Sequence, residues 1–126
     1  MATPQISRVD FVTVFVTDYA AAREFYGSLL GLEHSVDYGK DRGGEFEVGG
    51  LTVQLMSAPA IGVEFKPSNH PIAFHVEDVA AARAELEERG LAFRADTMDS
   101  GVCHMAFFAD PDGNALMLHH RYAPRD

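Results

Sequence analysis

The sequence predicts an α+β protein built from two similar halves. Three observations predict it: an internal repeat, β-branched stretches each followed by an alanine-rich amphipathic one, and glycine turns at matching places. Val16-Thr17-Asp18-Tyr19-Ala20-Ala21-Ala22-Arg23 returns sixty residues later as Val76-Glu77-Asp78-Val79-Ala80-Ala81-Ala82-Arg83. Each copy runs on to a Gly-Leu pair, Gly31-Leu32 and Gly90-Leu91, and then to strand-like segments. One domain of residues 1–126 is expected, made of a first module at about 6–58 and a second at about 69–122.

The elements follow in order. Val9 to Val16 reads as a strand, with Val12, Val14 and Val16 on a helix-facing side and Phe11, Thr13 and Phe15 opposite. Asp18 stands where a carboxylate caps the free amides of a helix start. Ala22, Phe25, Tyr26, Leu29 and Leu30 then make one apolar stripe, and Gly31 suits the left-handed position that ends a helix. Gly49-Gly50 reads as a two-residue hairpin turn, which sets Gln54 across from Glu45 and Thr52 across from Glu47. In the second half Ile72, Phe74 and Val76 face the helix, leaving Pro71, Ala73 and His75 opposite. Asp78 caps a helix with Val79, Ala82 and Leu86 on its apolar side, and Gly90 ends it. Reading Asp110-Pro111-Asp112-Gly113 as a four-residue loop pairs Ala109 with Asn114, Ala106 with Met117, and His104 with His119.

Composition narrows the function classes. Hydrophobic residues make up 47% and charged ones 23%, an ordinary globular balance. A formal charge of −9 without a local Lys/Arg cluster disfavours nucleic acid and anionic membrane as partners. Cys103, the only cysteine, excludes an internal disulfide and a cysteine-rich zinc site, and reads as a small buried strand residue. No apolar run is long enough to span a bilayer, and Met1 to Gln5 lack a leader's basic and apolar regions, so a cytoplasmic location is expected.

Asp18 with Phe25-Tyr26-Gly27-Ser28-Leu29-Leu30-Gly31-Leu32, and Phe107-Phe108-Ala109-Asp110-Pro111-Asp112-Gly113-Asn114, resemble motifs of the vicinal oxygen chelate superfamily. That superfamily holds glyoxalase I, bleomycin- and fosfomycin-resistance proteins and extradiol dioxygenases. The resemblance spans almost the whole chain. It implies two tandem βαβββ modules forming an open barrel-like cup with helices outside, and a homodimer. In its metal-dependent members, His and Glu at four equivalent strand positions hold a divalent ion that acts as a Lewis acid. Counting from Asp18 and the glycine turns, those positions carry Phe11, Gln54, Pro71 and Met117 here. Three of the four offer no oxygen or nitrogen side-chain donor, so the usual metal site is not expected, and no cofactor is predicted.

The same positions still line a cup suited to an organic molecule. Its expected ligand-binding residues are Phe11, Phe15, Glu45, Glu47, Gln54, His75, His104, Phe108, Met117 and His119. Phe46 and Phe107 read as core, and His34, His70 and His120 as surface residues. The leading reading is a metal-independent protein that binds an organic small molecule, a cationic one fitting the net charge. Two alternatives stand beside it. One is an enzyme of lyase, isomerase or dioxygenase type, either metal-free with Glu47 or His75 as proton carrier, or using a divalent metal relocated to His75, His104 and His119. The other is a non-catalytic interaction module.

Overall fold

The computed structural model describes residues 3–125. The first module runs β1 (Phe11–Val16), α1 (Tyr19–Glu24), β2 (Glu33–Tyr38), β3 (Gly43–Val48) and β4 (Leu51–Ser57). The second runs β5 (Ile72–His75), α2 (Val79–Glu88), β6 (Arg94–Asp99), β7 (Cys103–Ala109) and β8 (Ala115–Arg121). Each module folds into one four-stranded mixed sheet, ordered β1-β4-β3-β2 and β5-β8-β7-β6. The outer pair β1–β4 is parallel, as is β5–β8, because a helix carries the chain across each sheet. Among the described residues the sheets do not close into a barrel, and no helix is long and apolar enough to cross a membrane.

Both helices begin as the sequence predicts. Asp18 is extended and accepts a hydrogen bond from the Ala21 amide at 3.2 Å; Asp78 does the same for Ala81 at 3.0 Å. The first helix does not stay regular. From Phe25 to Leu29 it widens into a π-turn, in which the Leu30 amide donates to the Phe25 carbonyl. Phe25 and Tyr26, at the start of this widened turn, are both buried in the core. Gly49 and Gly50 both have positive φ, the geometry of the tight hairpin turn, and the pairs Glu45–Gln54 and Glu47–Thr52 form as expected.

One buried cluster runs through both modules. Val14, Val16, Phe46, Val53 and Leu55 enter it from the first sheet, and Phe74, Ala106, Phe108, Leu116 and Leu118 from the second. Tyr19, Ala22, Phe25, Tyr26, Val79 and Leu86 enter it from the helical segments. Burying each large apolar side chain contributes about 1.5–3 kcal/mol. Since both sheets press one face onto this cluster, their other faces turn outward, and Phe11 on β1 is left 53% exposed.

The modules are also joined by polar groups at the turn from Asp110 to Asn114. The Asp110 carboxylate, 5% exposed, accepts from the Asp112 and Asn114 amides through Oδ1. Its Oδ2 accepts from the Tyr26 hydroxyl and from Asn114 Nδ2, each at 2.8 Å. Asn114 Nδ2 also donates to the Phe15 carbonyl, and Asn114 Oδ1 accepts from the Ser68 amide. Asp112 accepts from the Thr17 amide and hydroxyl.

This turn corrects the expected register. Asn114 belongs to the loop, so the observed pairs are Ala109–Ala115, Ala106–Leu118 and His104–His120, each one residue on from expectation. A shift of one residue exchanges the faces of β7 relative to β8. Phe108 is therefore buried at 2% exposure against Phe25 and Phe93, not set into a cup, and His104 lies on the helix-facing side with His120. Met105 and Phe107 take the outward positions instead, paired with His119 and Met117.

Candidate functional site

The outer face of the first sheet gathers half of the expected site: Phe11, Phe15, Glu45, Glu47 and Gln54. Alternation along β1 puts Phe11, Thr13 and Phe15 there, and the register Thr13–Gln54–Glu45 carries the face across β4 to β3. The side chains form a continuous ladder. Thr13 donates to Gln54 Oε1 at 2.7 Å, Gln54 Nε2 donates to the Tyr38 hydroxyl at 3.0 Å, and that hydroxyl donates to Glu45. Beside it, Glu47 accepts from Thr52 at 2.8 Å and from Ser35 at 2.9 Å. Burial first, and then the Glu45 carboxylate, push the Tyr38 phenol above the usual tyrosine range. Two carboxylates thus sit side by side, steadied by neutral hydroxyls, on a face edged by Phe11 and Phe15.

Tyr38 and Ser35 were not legible in the sequence. They are three residues apart, so strict alternation sets them on opposite faces. A bulge in β2 between His34 and Val36 turns both toward the outer face. The same bulge sends His34 and Asp37 to the helix side. There His34 meets the Phe46 ring at 5.2 Å and bonds Asp37 at 2.9 Å, so it is not the free surface residue expected. The Tyr19 hydroxyl donates to Asp37 and, as the largest of several effects, holds that carboxyl below its ordinary range.

The outer face of the second sheet is softer. Ala73 pairs with Met117 and His75 with His119, and Met105 and Phe107 continue the face on β7. Cys103, partly exposed in β7, pairs with Arg121, whose Nε is buried without a hydrogen-bond partner. A separate groove of about 570 Å³ lies between the modules, lined by Leu30, Leu32, Val48, Phe74, Leu86 and Arg89 among others. Of the expected site residues only His75 reaches it.

The histidines regroup. His75, His104 and His119 do not converge. His104 instead faces Asp99 at 3.4 Å and stacks on Tyr122 at 4.8 Å. His75 approaches His120, expected at the surface, with ring centroids 5.6 Å apart, and Glu77 lies beside both. His70 stays in the exposed segment before β5, where its amide bonds the Ser68 hydroxyl.

Two βαβ-type halves with matching strand order, one shared core and open outward faces define a tandem βαβββ protein. The chain belongs to the Glyoxalase/Bleomycin resistance protein/Dioxygenase superfamily, whose sequence profile it matches over residues 8–118. It is 29% identical to the uncharacterized protein YaeR of Escherichia coli (strain K12), over 90% of this chain and 96% of that one. A superfamily member from Sphaerobacter thermophilus DSM 20745 matches with a TM-score of 0.77 and 29% identity, over 90% of this chain and 97% of its own. TnmS3, an antibiotic binding protein from Streptomyces sp. CB03234, shares the fold with a TM-score of 0.78 and 24% identity, covering 94% of this chain and 99% of its own.

Proposed function

We propose that this protein binds an organic cation with an aromatic part, without a metal at the superfamily's usual positions, in a cup completed by a second copy of the chain. One observation carries the reading: Glu45 and Glu47 stand together on the outer face beside Phe11 and Phe15, and the donors that reach them are neutral hydroxyls. A cationic group would meet two carboxylates there, and a planar ring could stack on the phenylalanines. Phe11, Gln54, Pro71 and Met117 fit no hard cation, since the one amide oxygen among them already accepts from Thr13. Since the two outer faces of one chain diverge from a shared core, the face bearing Met105, Phe107, Met117 and His119 would close the cup from the partner copy. Antibiotic binding by TnmS3 is a precedent for such use of the fold.

Isothermal calorimetry with cationic and anionic aromatic antibiotics tests this, alongside sedimentation equilibrium for the dimer. Binding of a cationic compound, weakened at least ~10-fold by Glu45→Gln or Glu47→Gln, is expected. Binding unchanged in both variants, or none across the set, would refute it. Turnover that collapses on Glu47→Gln would instead favour a metal-free enzyme. The groove between the modules is a second candidate cavity, because its size suits a small ligand. Sensitivity to Leu86→Ala but not to Glu47→Gln would move the site there.

A further inference from the structure

We infer that His75, Glu77 and His120 form a binding site for a divalent transition ion of the zinc class, away from the positions the superfamily uses. The three side chains come from different places. His75 ends β5, Glu77 follows it just before the cap of α2, and His120 lies on β8. Their candidate ligand atoms all lie within 4.8 Å of one another. His75 Nε2 is 3.2 Å from Glu77 Oε1, and His120 Nδ1 is 4.0 Å from Glu77 Oε2. Ligand atoms on a tetrahedral ion at ordinary Zn–N and Zn–O distances are roughly 3.4 Å apart. The His75–Glu77 pair is thus already near that spacing; rotation of Glu77, whose side chain is 86% exposed, closes its pair with His120, and a small turn of the exposed His75 ring closes the pair between the histidines.

The backbone beneath is rigid where the site needs it. β5 and β8 run parallel in register His75–His119, and the Val76 amide donates to the His119 carbonyl at 3.0 Å. On the other side the Asp78 cap fixes the start of α2. An independent observation comes from His120: its Nδ1 is buried from solvent and has no hydrogen-bond partner. A buried polar atom left unpaired costs free energy, and an ion held with Glu77 would supply the partner.

Two imidazole nitrogens and one carboxylate oxygen select against magnesium and calcium, which take oxygen ligands, and favour zinc or copper. Three protein ligands leave a fourth position on the exposed side of His75 for water or a ligand group. This site is separate from the face around Glu47, which lies in the other module.

Calorimetric titration of untagged, chelator-treated protein with Zn²⁺ tests the inference, with Co²⁺ absorption reporting the ligand set. One equivalent per chain is expected, weakened at least ~10-fold by His75→Ala and by His120→Gln. His104→Gln and Glu47→Gln are expected to leave the affinity unchanged. His75→Ala alters a 63%-exposed side chain, so its folding, checked by circular dichroism, should match the parent. Absence of a site tighter than millimolar would overturn the inference, as would full affinity in His75→Ala. Loss of Zn²⁺ binding in Glu47→Gln would place the ion on the other face and overturn it too.

Discussion

Replacing Asp110 with alanine should be among the most damaging single changes in this chain. The carboxylate is buried and accepts four donors, two from the turn's own amides and two from the side chains of Tyr26 and Asn114. Hydrogen bonds to a charged group contribute about 1.5–3 kcal/mol each. The Tyr26 and Asn114 bonds alone would then amount to roughly 3–6 kcal/mol, offset in part because the variant no longer buries a carboxylate. We expect a net loss of about 3 kcal/mol for Asp110→Ala and about 1.5 kcal/mol for Tyr26→Phe, which removes one donor. Tyr26→Phe with Asp110→Ala should fall short of additivity by about 1 kcal/mol, because the two share a bond. Urea unfolding followed by circular dichroism, at one protein concentration and without added metal, measures all three. If both single variants stay within about 0.5 kcal/mol of the parent, or the pair is additive, the clasp between the modules does not contribute as argued.

Four further outcomes are expected. Gly44→Ala should cost about 1–3 kcal/mol in the same assay, since the added carbon would collide with the Tyr19 hydroxyl and the Val36 carbonyl, a backbone group that cannot swing away. Asp18→Ala and Asp78→Ala should each cost about 1 kcal/mol as the caps are lost, read as a lower urea midpoint. The Asp37 carboxyl lies below its ordinary range in the folded chain, chiefly through the Tyr19 hydroxyl. Its stabilising contribution is therefore full above the unfolded carboxyl pKa of about 4 and disappears as pH falls through the lower folded value; Tyr19→Phe should flatten that acid limb of the urea midpoint. Burial first, and then Asp110, push the Tyr26 phenol far above the usual range. Stability should fall above about pH 10, where the unfolded chain ionises this phenol and the folded one does not, and ultraviolet difference absorbance should show Tyr26 titrating only with unfolding.

Local chemistry made much of the fold readable. The two aspartate caps, the Gly49-Gly50 turn and the Glu45–Gln54 and Glu47–Thr52 pairs all follow from rules acting over a few residues. What escaped depended on distant partners. Asn114 looks like a strand residue until Phe15 and Ser68 are found holding it in the loop, and that one position decides which way His104 and Phe108 face. Tyr38 was hidden by a bulge, because a period of two cannot predict where the period is broken. Glu77 stands in the repeat with nothing in the sequence to mark it; only the fold brings His120 beside it.

The widened turn at Phe25–Leu29 explains a small arithmetic mismatch between the two halves. The aspartate caps are sixty residues apart, yet the helix-ending glycines Gly31 and Gly90 are separated by one residue fewer. The first copy therefore carries one additional residue between cap and stop, and the π-turn is where a helix stores such an insertion without shifting what lies beyond it. Shortening this stretch by one residue, at exposed Ser28 for instance, would return the helix to regular winding and restore equal length to the halves. Phe25 and Tyr26, at the start of that turn, let one short helix serve both sheets: Tyr26 reaches Phe46 while Phe25 reaches Phe108.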